Sequence, residues 1–393
     1  MYIKRNLRKA FQSALNQYPA VLITGPRQSG KTTFLKNEIN QKTTYVLLDD
    51  PIERMRVHDD PLGFISQFED KPVLLDEIQY APELLPYIEK DIEKNKQAKG
   101  KWIITSSQEV KTLINFRERL AGRIQELNLF PFHANENIFF DGQNIESLIW
   151  QGGYPENILY SKKRDSWFSE KIQIYIERDI RQLIQIQDLG AFQTFLGLCA
   201  SLNGQELNIA SLSRHVGITQ PTCKKWISIL QASFIIILIP PYFQNFGKRV
   251  IKSQKIYFLD QAMAVYLTKQ PDPQSMYNGA MGNTFFEGFI VTEIYKSLIS
   301  NNKNANCYFW RSHDGLAVDL IIETNGNTWP IEIKKNATPS LKHAESLIKF
   351  KKIANNLAFV RSTIVCNVAE KTMMTQEIEA MSWKDFLKIF DNN

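Results

Sequence analysis

The stretch Gly25-Pro-Arg-Gln-Ser-Gly-Lys-Thr32 fits the pattern G-x-x-x-x-G-K-[ST] in full. It lies between the apolar run Ala20–Thr24 and a segment with helical spacing, Lys31–Ile39. Glycines let the backbone curl, so that successive N–H groups and the start of the following helix can face a bound anion. The stretch therefore predicts a phosphate-binding loop between a strand and a helix of a parallel α/β sheet.

The residues of this loop have separate expected roles. Lys31 would reach the β- and γ-phosphates, and the Thr32 hydroxyl would hold Mg²⁺. The sequence contains no N-K-x-D tetrapeptide to recognise guanine, so ATP and Mg²⁺ are the expected cofactors. The residues expected to bind the nucleotide are Gly25, Pro26, Arg27, Gln28, Ser29, Gly30, Lys31, Thr32 and Thr33.

A second apolar run, Val73–Leu75, leads directly into two acids. Asp76 would bind Mg²⁺ through water, and Glu77 would orient and deprotonate the attacking water. The run Tyr45–Leu48 could supply the additional strand that separates the two motif strands in hydrolysing ATPases. The alternative is that the two acids only cap a helix that begins soon after.

Polar side chains follow the next predicted strand, Trp102–Thr105. Ser107 or Gln108 could sense the γ-phosphate there, or the serine could simply cap the next helix. Further along, Arg119 or Arg123 could neutralise transition-state charge, in the same chain or across a subunit contact. Either arginine could instead be an ordinary surface residue. The predicted catalytic residues are thus Lys31, Glu77, Ser107 and Arg123.

The middle of the chain is basic. The whole protein has a net charge of +6, and residues 203–259 alone hold seven basic residues against Glu206, also +6. Two short predicted helices around Gly217 and a strand at 234–239 suggest a winged helix-turn-helix, with Gly247–Arg249 as its wing. The basic residues could bind DNA, or the module could contact a protein. They are Arg214, Lys224, Lys225, Lys248, Arg249, Lys252 and Lys255.

Three acids and a lysine stand out near the C-terminus. Asp319 lies in one predicted strand, and Glu332 and Lys334 lie two apart in the next, where they share a face. This arrangement resembles the D…ExK core of restriction-endonuclease-like nucleases. In those enzymes the carboxylates bind Mg²⁺ and the lysine positions the attacking water. Glu287, on the preceding helix, matches the acid that this fold often adds. The alternative is a retained fold that does not cleave.

The composition is that of an ordinary globular protein. Of 393 residues, 44% are hydrophobic and 22% are charged, which excludes disordered and low-complexity classes. Four scattered cysteines form no C-x-x-C pair, so neither a zinc site nor a disulfide framework is indicated. The chain shows no secretory signal, and its longest apolar run is too short to cross a bilayer. We therefore expect a cytoplasmic protein without a membrane contact.

Taken with its motifs, nearly the whole chain resembles a family of prokaryotic AAA-type ATPases with a C-terminal restriction-endonuclease-like domain. One departure is Ser106, where that family often has glycine. The resemblance implies an α/β chain of four parts: a P-loop ATPase domain (1–132), a helical connector (133–200), a winged-helix domain (201–278) and a restriction-endonuclease-like domain (279–393). The motifs that carry it are Gly25–Thr32, Leu75–Gln79, Leu120–Arg123, Gly152–Pro155, Glu177–Asp179 and the C-terminal acids.

The expected function is an ATP-hydrolysing switch that acts on DNA or on a protein partner, and that could be an oligomer. One alternative is a DNA endonuclease gated by ATP and active through the C-terminal domain. Another is a non-catalytic, nucleotide-dependent binding module.

Overall fold

The structure is a computed structural model. The residues it describes form two compact units, one extending to Phe132 with two short later segments, the other from His133 onward. The predicted segments 133–200, 201–278 and 279–393 therefore fall into one unit, and their division into three domains stays a prediction. The described residues are 2–69, 71–95, 97–108, 111–136, 142–159, 164–175, 188–243, 253–300, 305–354 and 357–391.

The first unit is built on a parallel sheet. Its described strands are β1 (Ala20–Thr24), β2 (Thr44–Leu47), β3 (Val73–Asp76), β4 (Trp102–Ser106) and β5 (Ile124–Asn128). They lie in the order β2-β3-β4-β1-β5, and every neighbouring pair is parallel. All residues of β1, β3 and β4 are buried, because helices cover both faces of the sheet.

Side chains of the central strands alternate between two apolar cores. In β1, Leu22 belongs to the core on one face, and Val21 and Ile23 belong to the core on the other. The helices that contribute to these cores or connect the strands are α1 (Arg8–Gln17), α2 (Lys31–Glu38), α3 (Pro51–Asp59), α4 (Pro61–Ser66), α5 (Leu85–Lys94) and α6 (Lys111–Arg119).

The strand that separates the two motif strands is β4, not β2. The prediction that Tyr45–Leu48 fills this position is wrong, because among the described strands β2 pairs only with β3 and forms one edge of the sheet. Burial explains the difference: every residue of β4 is buried, as a central position requires, whereas Leu47 of β2 is 38% exposed. Sequence order along the chain does not determine the order of strands in space.

The second unit begins with a helical region. Its described helices are α7 (Ile145–Gln151), α8 (Pro155–Leu159), α9 (Arg164–Ile174), α10 (Leu189–Ser201), α11 (Ile209–Val216), α12 (Gln220–Ala232), α13 (Gln261–Leu267) and α14 (Pro273–Asn278). A turn at Gly217, with a positive φ of 80°, joins α11 to α12. An antiparallel hairpin follows, β6 (Ile236–Ile239) with β7 (Lys255–Phe258). The predicted wing, Gly247–Arg249, the motif Glu177–Asp179 and Lys252 lie outside the described residues.

The C-terminal part of the second unit is a mixed sheet. Helix α15 (Gly282–Ser300) precedes it, and α16 (Glu345–Ile353) and α17 (Trp383–Asp391) follow later along the chain. Its strands are β8 (Ala305–Arg311), β9 (Ala317–Thr324), β10 (Asn327–Ile333), β11 (Ala358–Phe359), β12 (Ser362–Cys366), β13 (Thr372–Met373) and β14 (Ile378–Ser382).

Strand order in this sheet is β13-β14-β12-β10-β9-β8, with β11 beside β10. Strands β8, β9 and β10 form an antiparallel meander, and β12 pairs with β10 in parallel after the crossover through α16. The α/β fold class is confirmed, with a parallel N-terminal sheet, a helical middle and a mixed C-terminal sheet. Within the described part of the chain, none of the helices combines the length and the apolar character needed to span a bilayer.

Candidate functional site

The phosphate loop connects β1 to α2 at the carboxyl edge of the first sheet. Gly25 has φ +146°, and a Cβ at this position would lie 2.1 Å from the carbonyl oxygen of Leu129. Gly30, with φ +94°, is the residue before α2. No L-amino-acid side chain fits at Gly25, so the close approach of the loop to Leu129 depends on glycine.

An arginine from the N-terminal segment supports the loop from behind. The Arg5 guanidinium donates to the carbonyl of Ser29 at 3.1 Å and to that of Phe130 at 2.6 Å. It lies 4.6 Å from the centre of the Phe132 ring, and only 6% of the residue is exposed. Sequence reasoning missed this residue, because no local pattern links position 5 to the loop.

The lysine and threonine of the loop face the first acid. The buried Lys31 ammonium donates to the carbonyls of Gly25 and Pro26, at 3.0 and 3.2 Å. The Thr32 hydroxyl donates to a carboxylate oxygen of Asp76 at 2.7 Å. A hydroxyl and a carboxylate are the hard oxygen donors that Mg²⁺ prefers, so these two residues fit the metal that the loop implies.

Asp76 is held by two further hydroxyl groups. Tyr45 donates to one of its oxygens at 3.0 Å, and Thr105 donates to the other at 2.5 Å. Thr105 also accepts a hydrogen bond from the backbone N–H of Glu77 at 2.8 Å. The end of β4 therefore fixes both acids at the end of β3.

The second acid lies beside the phosphate loop. A carboxylate oxygen of Glu77 is 4.0 Å from the Lys31 ammonium, and the Glu77 backbone has a left-handed φ of 65°. Burial would raise the pKa of Glu77, but the Lys31 charge, hydrogen bonds from Gln79 and Ser107, and the Arg27 charge outweigh it and lower that pKa. The carboxylate is therefore ionised at neutral pH and able to accept a proton.

Gln79 connects this acid to the polar end of β4. Its side-chain amide donates to Glu77 and, at 2.9 Å, to the hydroxyl of Ser107, and it accepts from the hydroxyl of Ser106 at 2.9 Å. Sequence reasoning named Ser107 as a sensor but gave Gln79 no role. Ser106 also donates to the backbone carbonyl of Gln108 at 2.6 Å. The acid and the predicted sensor thus belong to one hydrogen-bond network.

Arg123 lies at the amino-terminal end of the sheet's strands, opposite the phosphate loop, which lies at their carboxyl ends. It directly precedes β5, whose first residue pairs with Ala20 at the start of β1, while the phosphate loop follows the other end of β1. A five-residue strand is about 13 Å long, so Arg123 cannot reach the loop of its own chain. The prediction of a role within the same chain is wrong on this geometry, and a role across a subunit contact stays a prediction. In this structure Arg123 pairs with Glu93 at 3.4 Å and Arg119 with Glu89 at 3.2 Å.

The structure brings the predicted C-terminal residues together. Asp319 on β9 accepts from the backbone N–H of Ile333 at 2.9 Å and from the Lys334 ammonium at 3.2 Å. Lys334 also pairs with Glu332, and Ser346 on α16 donates to the other oxygen of Glu332 at 2.9 Å. Burial, and then the negative charge of Asp319, raises the pKa of Glu332 to about 8.

A second lysine completes this cluster. Lys255 on β7 donates to Glu287 at 2.8 Å and lies 3.9 Å from Asp319. The Tyr257 hydroxyl donates to the same oxygen of Glu287 at 2.6 Å. Lys255 is only 4% exposed, so its assignment to a basic DNA-facing surface is wrong. A buried ammonium needs carboxylate partners, and it has them here.

The metal site predicted for these acids does not fit the side chains present. Nowhere in the described ranges do three or more His, Cys, Asp or Glu side chains form a group that could hold a metal ion. Each of the three carboxylates instead contacts a lysine ammonium. The cluster consists of Glu287, Asp319, Glu332, Lys255 and Lys334.

The motif Gly152–Pro155 forms a turn bound to Asp260. The N–H of Gly153 donates to the Asp260 carboxylate at 2.7 Å, and a Cβ on Gly152 would lie 2.4 Å from that carboxylate. Burial raises the pKa of Asp260, although the backbone N–H groups of Gly153 and Ala262 oppose the shift. The motif therefore has a structural explanation within the second unit.

Three of the predicted DNA-facing residues are exposed in the described helices. Arg214 lies on α11, and Lys224 and Lys225 lie on α12. Thr219, which directly precedes this helix, and Gln220, its first residue, are exposed as well. The three basic side chains are each accessible, which is what phosphate contacts need.

Three stretches of the chain match known protein families. Residues 17–138 match the family described as AAA domain. Residues 142–274 and 282–386 match two families described as domains of unknown function, DUF8612 and DUF4143. Uncharacterized proteins of Mycobacterium bovis and of Mycobacterium tuberculosis are each 26% identical over 346 residues, which cover 87% of this chain and 76% of the relative.

Solved structures similar to this chain include a Walker-type ATPase of Pyrococcus abyssi, with a TM-score of 0.44 and 14% identity over 68% of this chain and 96% of that one. Another is a signal transduction ATPase with numerous domains and a tetratricopeptide repeat sensor, from Pyrococcus horikoshii. Its TM-score is 0.24, at 12% identity over 76% of this chain and 45% of that one. These values are too low to bear on function. On its motif, its sheet and its family match, the N-terminal part of the chain, residues 17–138, is an AAA-type P-loop domain.

Proposed function

We propose that the protein binds ATP with Mg²⁺ at the carboxyl edge of its N-terminal sheet, hydrolyses it, and uses the cycle as a switch on a DNA or protein partner. The observation that carries the proposal is the position of Glu77. Its carboxylate lies 4.0 Å from the loop lysine and next to Asp76, whose oxygen is 2.7 Å from the Thr32 hydroxyl. Phosphate-binding, metal-binding and proton-accepting groups therefore adjoin one another.

Each group has one task in this proposal. The loop N–H groups and Lys31 would bind and neutralise the phosphates, and Thr32 and Asp76 would hold Mg²⁺, which supplies further charge neutralisation when bound. Glu77 would accept the proton of the attacking water, because its lowered pKa keeps it ionised at neutral pH. Ser107 would report the γ-phosphate to Glu77 through the shared Gln79 amide.

The switch part of the proposal is supported by connectivity within the site. Glu77 and Ser107 share one side-chain amide, so a phosphate that draws Ser107 away would also release Glu77. DNA is the favoured partner because Lys224 and Lys225 are exposed on α12. Residues 142–274, which include this helix, belong to a family without an assigned function.

ATP hydrolysis by the purified chain tests the proposal directly. We expect phosphate release that requires Mg²⁺ and falls by roughly 100-fold or more in Lys31→Ala and in Glu77→Gln. Matched controls are Lys94→Ala and Glu83→Gln, both exposed, which should keep the parent rate. Stimulation by DNA, lost in Lys224→Ala/Lys225→Ala, would support DNA as the partner. Activity that survives both Lys31→Ala and Glu77→Gln contradicts the proposal.

A further inference from the structure

The cluster of Glu287, Asp319, Glu332, Lys255 and Lys334 joins three parts of the second unit. Lys255 comes from the hairpin strand β7, Glu287 from helix α15, and the other three from strands β9 and β10 or the residue after it. All of its carboxylates are largely buried, with side-chain exposures of 19% for Glu287, 11% for Asp319 and 7% for Glu332. Groups this buried need partners of opposite charge.

Lys255 is the cluster's innermost cation. Its ammonium is 2.8 Å from Glu287 and 3.9 Å from Asp319, and its side chain is 5% exposed, against 33% for Lys334. A metal ion shared by acids of the C-terminal sheet and of α15 would have to lie between those same two carboxylates. The Lys255 ammonium therefore occupies the position of a cation shared by Asp319 and the added acid Glu287.

The formal charges agree with this position. With all three carboxylates ionised, as they would be around a bound metal ion, the three carboxylates and two ammonium groups sum to −1. A neutral residue in place of Lys255 would then leave −2, which one divalent cation would balance. With Lys255 present, an added divalent cation would leave a buried excess of positive charge.

We propose that Lys255 fills the place of the metal ion, so that the cluster is a metal-free ionic clamp fastening the β6–β7 hairpin to α15 and the C-terminal sheet. The clamp consists of residues of the second unit alone and does not depend on nucleotide binding by the N-terminal domain. It explains why β7, the strand that carries Lys255, also supplies Tyr257 to the same oxygen of Glu287. Two neighbouring side chains of one strand thus bind one buried acid.

Titration of the full-length protein with Mn²⁺, without nucleotide, tests the clamp. Bound Mn²⁺ is counted by the loss of the free-ion EPR signal, and stability is followed by the thermal unfolding midpoint. We expect the Asp319→Asn variant, which retains Lys255, to bind the same number of Mn²⁺ ions as the parent protein. Any Mn²⁺ held by Thr32 and Asp76 is common to all variants and cancels in the comparison.

Lys255→Met, in contrast, should change both the number of bound Mn²⁺ ions and the unfolding midpoint. We expect it to bind one additional Mn²⁺ per chain and to unfold about 5 °C or more below the parent without metal, because three buried carboxylates then share one ammonium. Mn²⁺ should restore part of that loss. Lys225→Met, an exposed lysine on α12, is the matched control and should behave as the parent.

Two results would overturn the clamp. One is a Mn²⁺ ion bound by the parent protein and lost in Asp319→Asn, since the cluster would then hold metal with Lys255 in place. The other is Lys255→Met with the parent's midpoint and no additional Mn²⁺. If Lys255→Met does not fold, the comparison of Mn²⁺ binding by the parent and by Asp319→Asn still tests the clamp. Lys255→Arg keeps the charge, so it should fold and bind no additional Mn²⁺ ion.

Discussion

Gln79 is the side chain on which the acid and the serines of the N-terminal site converge. Its amide contacts Glu77, Ser106 and Ser107 within one network. The sequence pattern identifies Glu77 because an acid after an apolar strand has an expected chemical role. It gives Gln79 no chemical role, although Gln79 ends the motif Leu75–Gln79, since its serine partners lie at the end of another strand.

Replacing this glutamine should affect turnover and not binding. In Gln79→Leu we expect kcat for ATP hydrolysis to fall roughly tenfold or more, because Glu77 loses the donor that orients it, with little change in KM. Steady-state kinetics on Gln79→Leu and on the exposed control Gln97→Leu would measure this. A rise in KM at constant kcat would show that Gln79 serves binding and would contradict the role given to it.

The ends of β3 and β4 are tied together by one threonine. Thr105 donates to Asp76 and accepts from the N–H of Glu77, so it joins the two strands at the edge where the acids lie. Thr105→Val keeps the shape of the side chain but removes the donor to one oxygen of Asp76 and the acceptor of the Glu77 N–H. We expect it to lower the free energy of unfolding by about 1–3 kcal/mol, measured by urea denaturation.

A conservative variant separates this effect from packing. Thr105→Ser keeps the hydroxyl and should lose much less stability than Thr105→Val. Equal losses in the two variants would mean that the methyl group, and not the hydroxyl, holds the strand ends together.

At the level of elements, apolar runs predicted the central strands and the edge strand β2, but they missed the other edge strand, β5. Strands β1 and β4 are buried throughout, so their apolar runs stand out. Strand β5 escaped prediction because its sequence, Ile-Gln-Glu-Leu-Asn, is mostly polar, as an edge position allows. The neighbours of each strand could not be predicted either, since strand order depends on how the connecting helices cross the sheet. Lys255 was misplaced for a related reason: a lysine in a basic stretch suggests a surface, and its acidic partners are distant in sequence.

At the scale of the whole molecule, the candidate transition-state arginine, Arg123, lies far from the phosphate loop of its own chain. Arg123 lies at the amino edge of the sheet, where its partner is the exposed Glu93. It could act only on the site of a neighbouring copy of the chain. Oligomerisation would then be required for full activity, and a shared site would need one residue from each of two chains.

Mixing two inactive variants tests this arrangement. Lys31→Ala removes the phosphate lysine and keeps Arg123, whereas Arg123→Ala does the reverse, so a mixed assembly contains some complete sites. We expect each variant alone to hydrolyse ATP slowly and an equimolar mixture to recover up to about a quarter of the parent rate if two-chain sites form at random. A mixture no faster than the average of its parts would exclude Arg123 as the shared residue.

The backbone of Glu77 has a consequence for evolution in the laboratory. A left-handed φ of 65° at a residue other than glycine costs on the order of 1 kcal/mol, and here that cost keeps the carboxylate aimed at the phosphate loop. Glycine adopts the same backbone without strain, so Glu77→Gly would remove this backbone cost together with the proton acceptor. The position therefore sets backbone relaxation against catalysis, and a library selected for ATP hydrolysis should keep the strained acid.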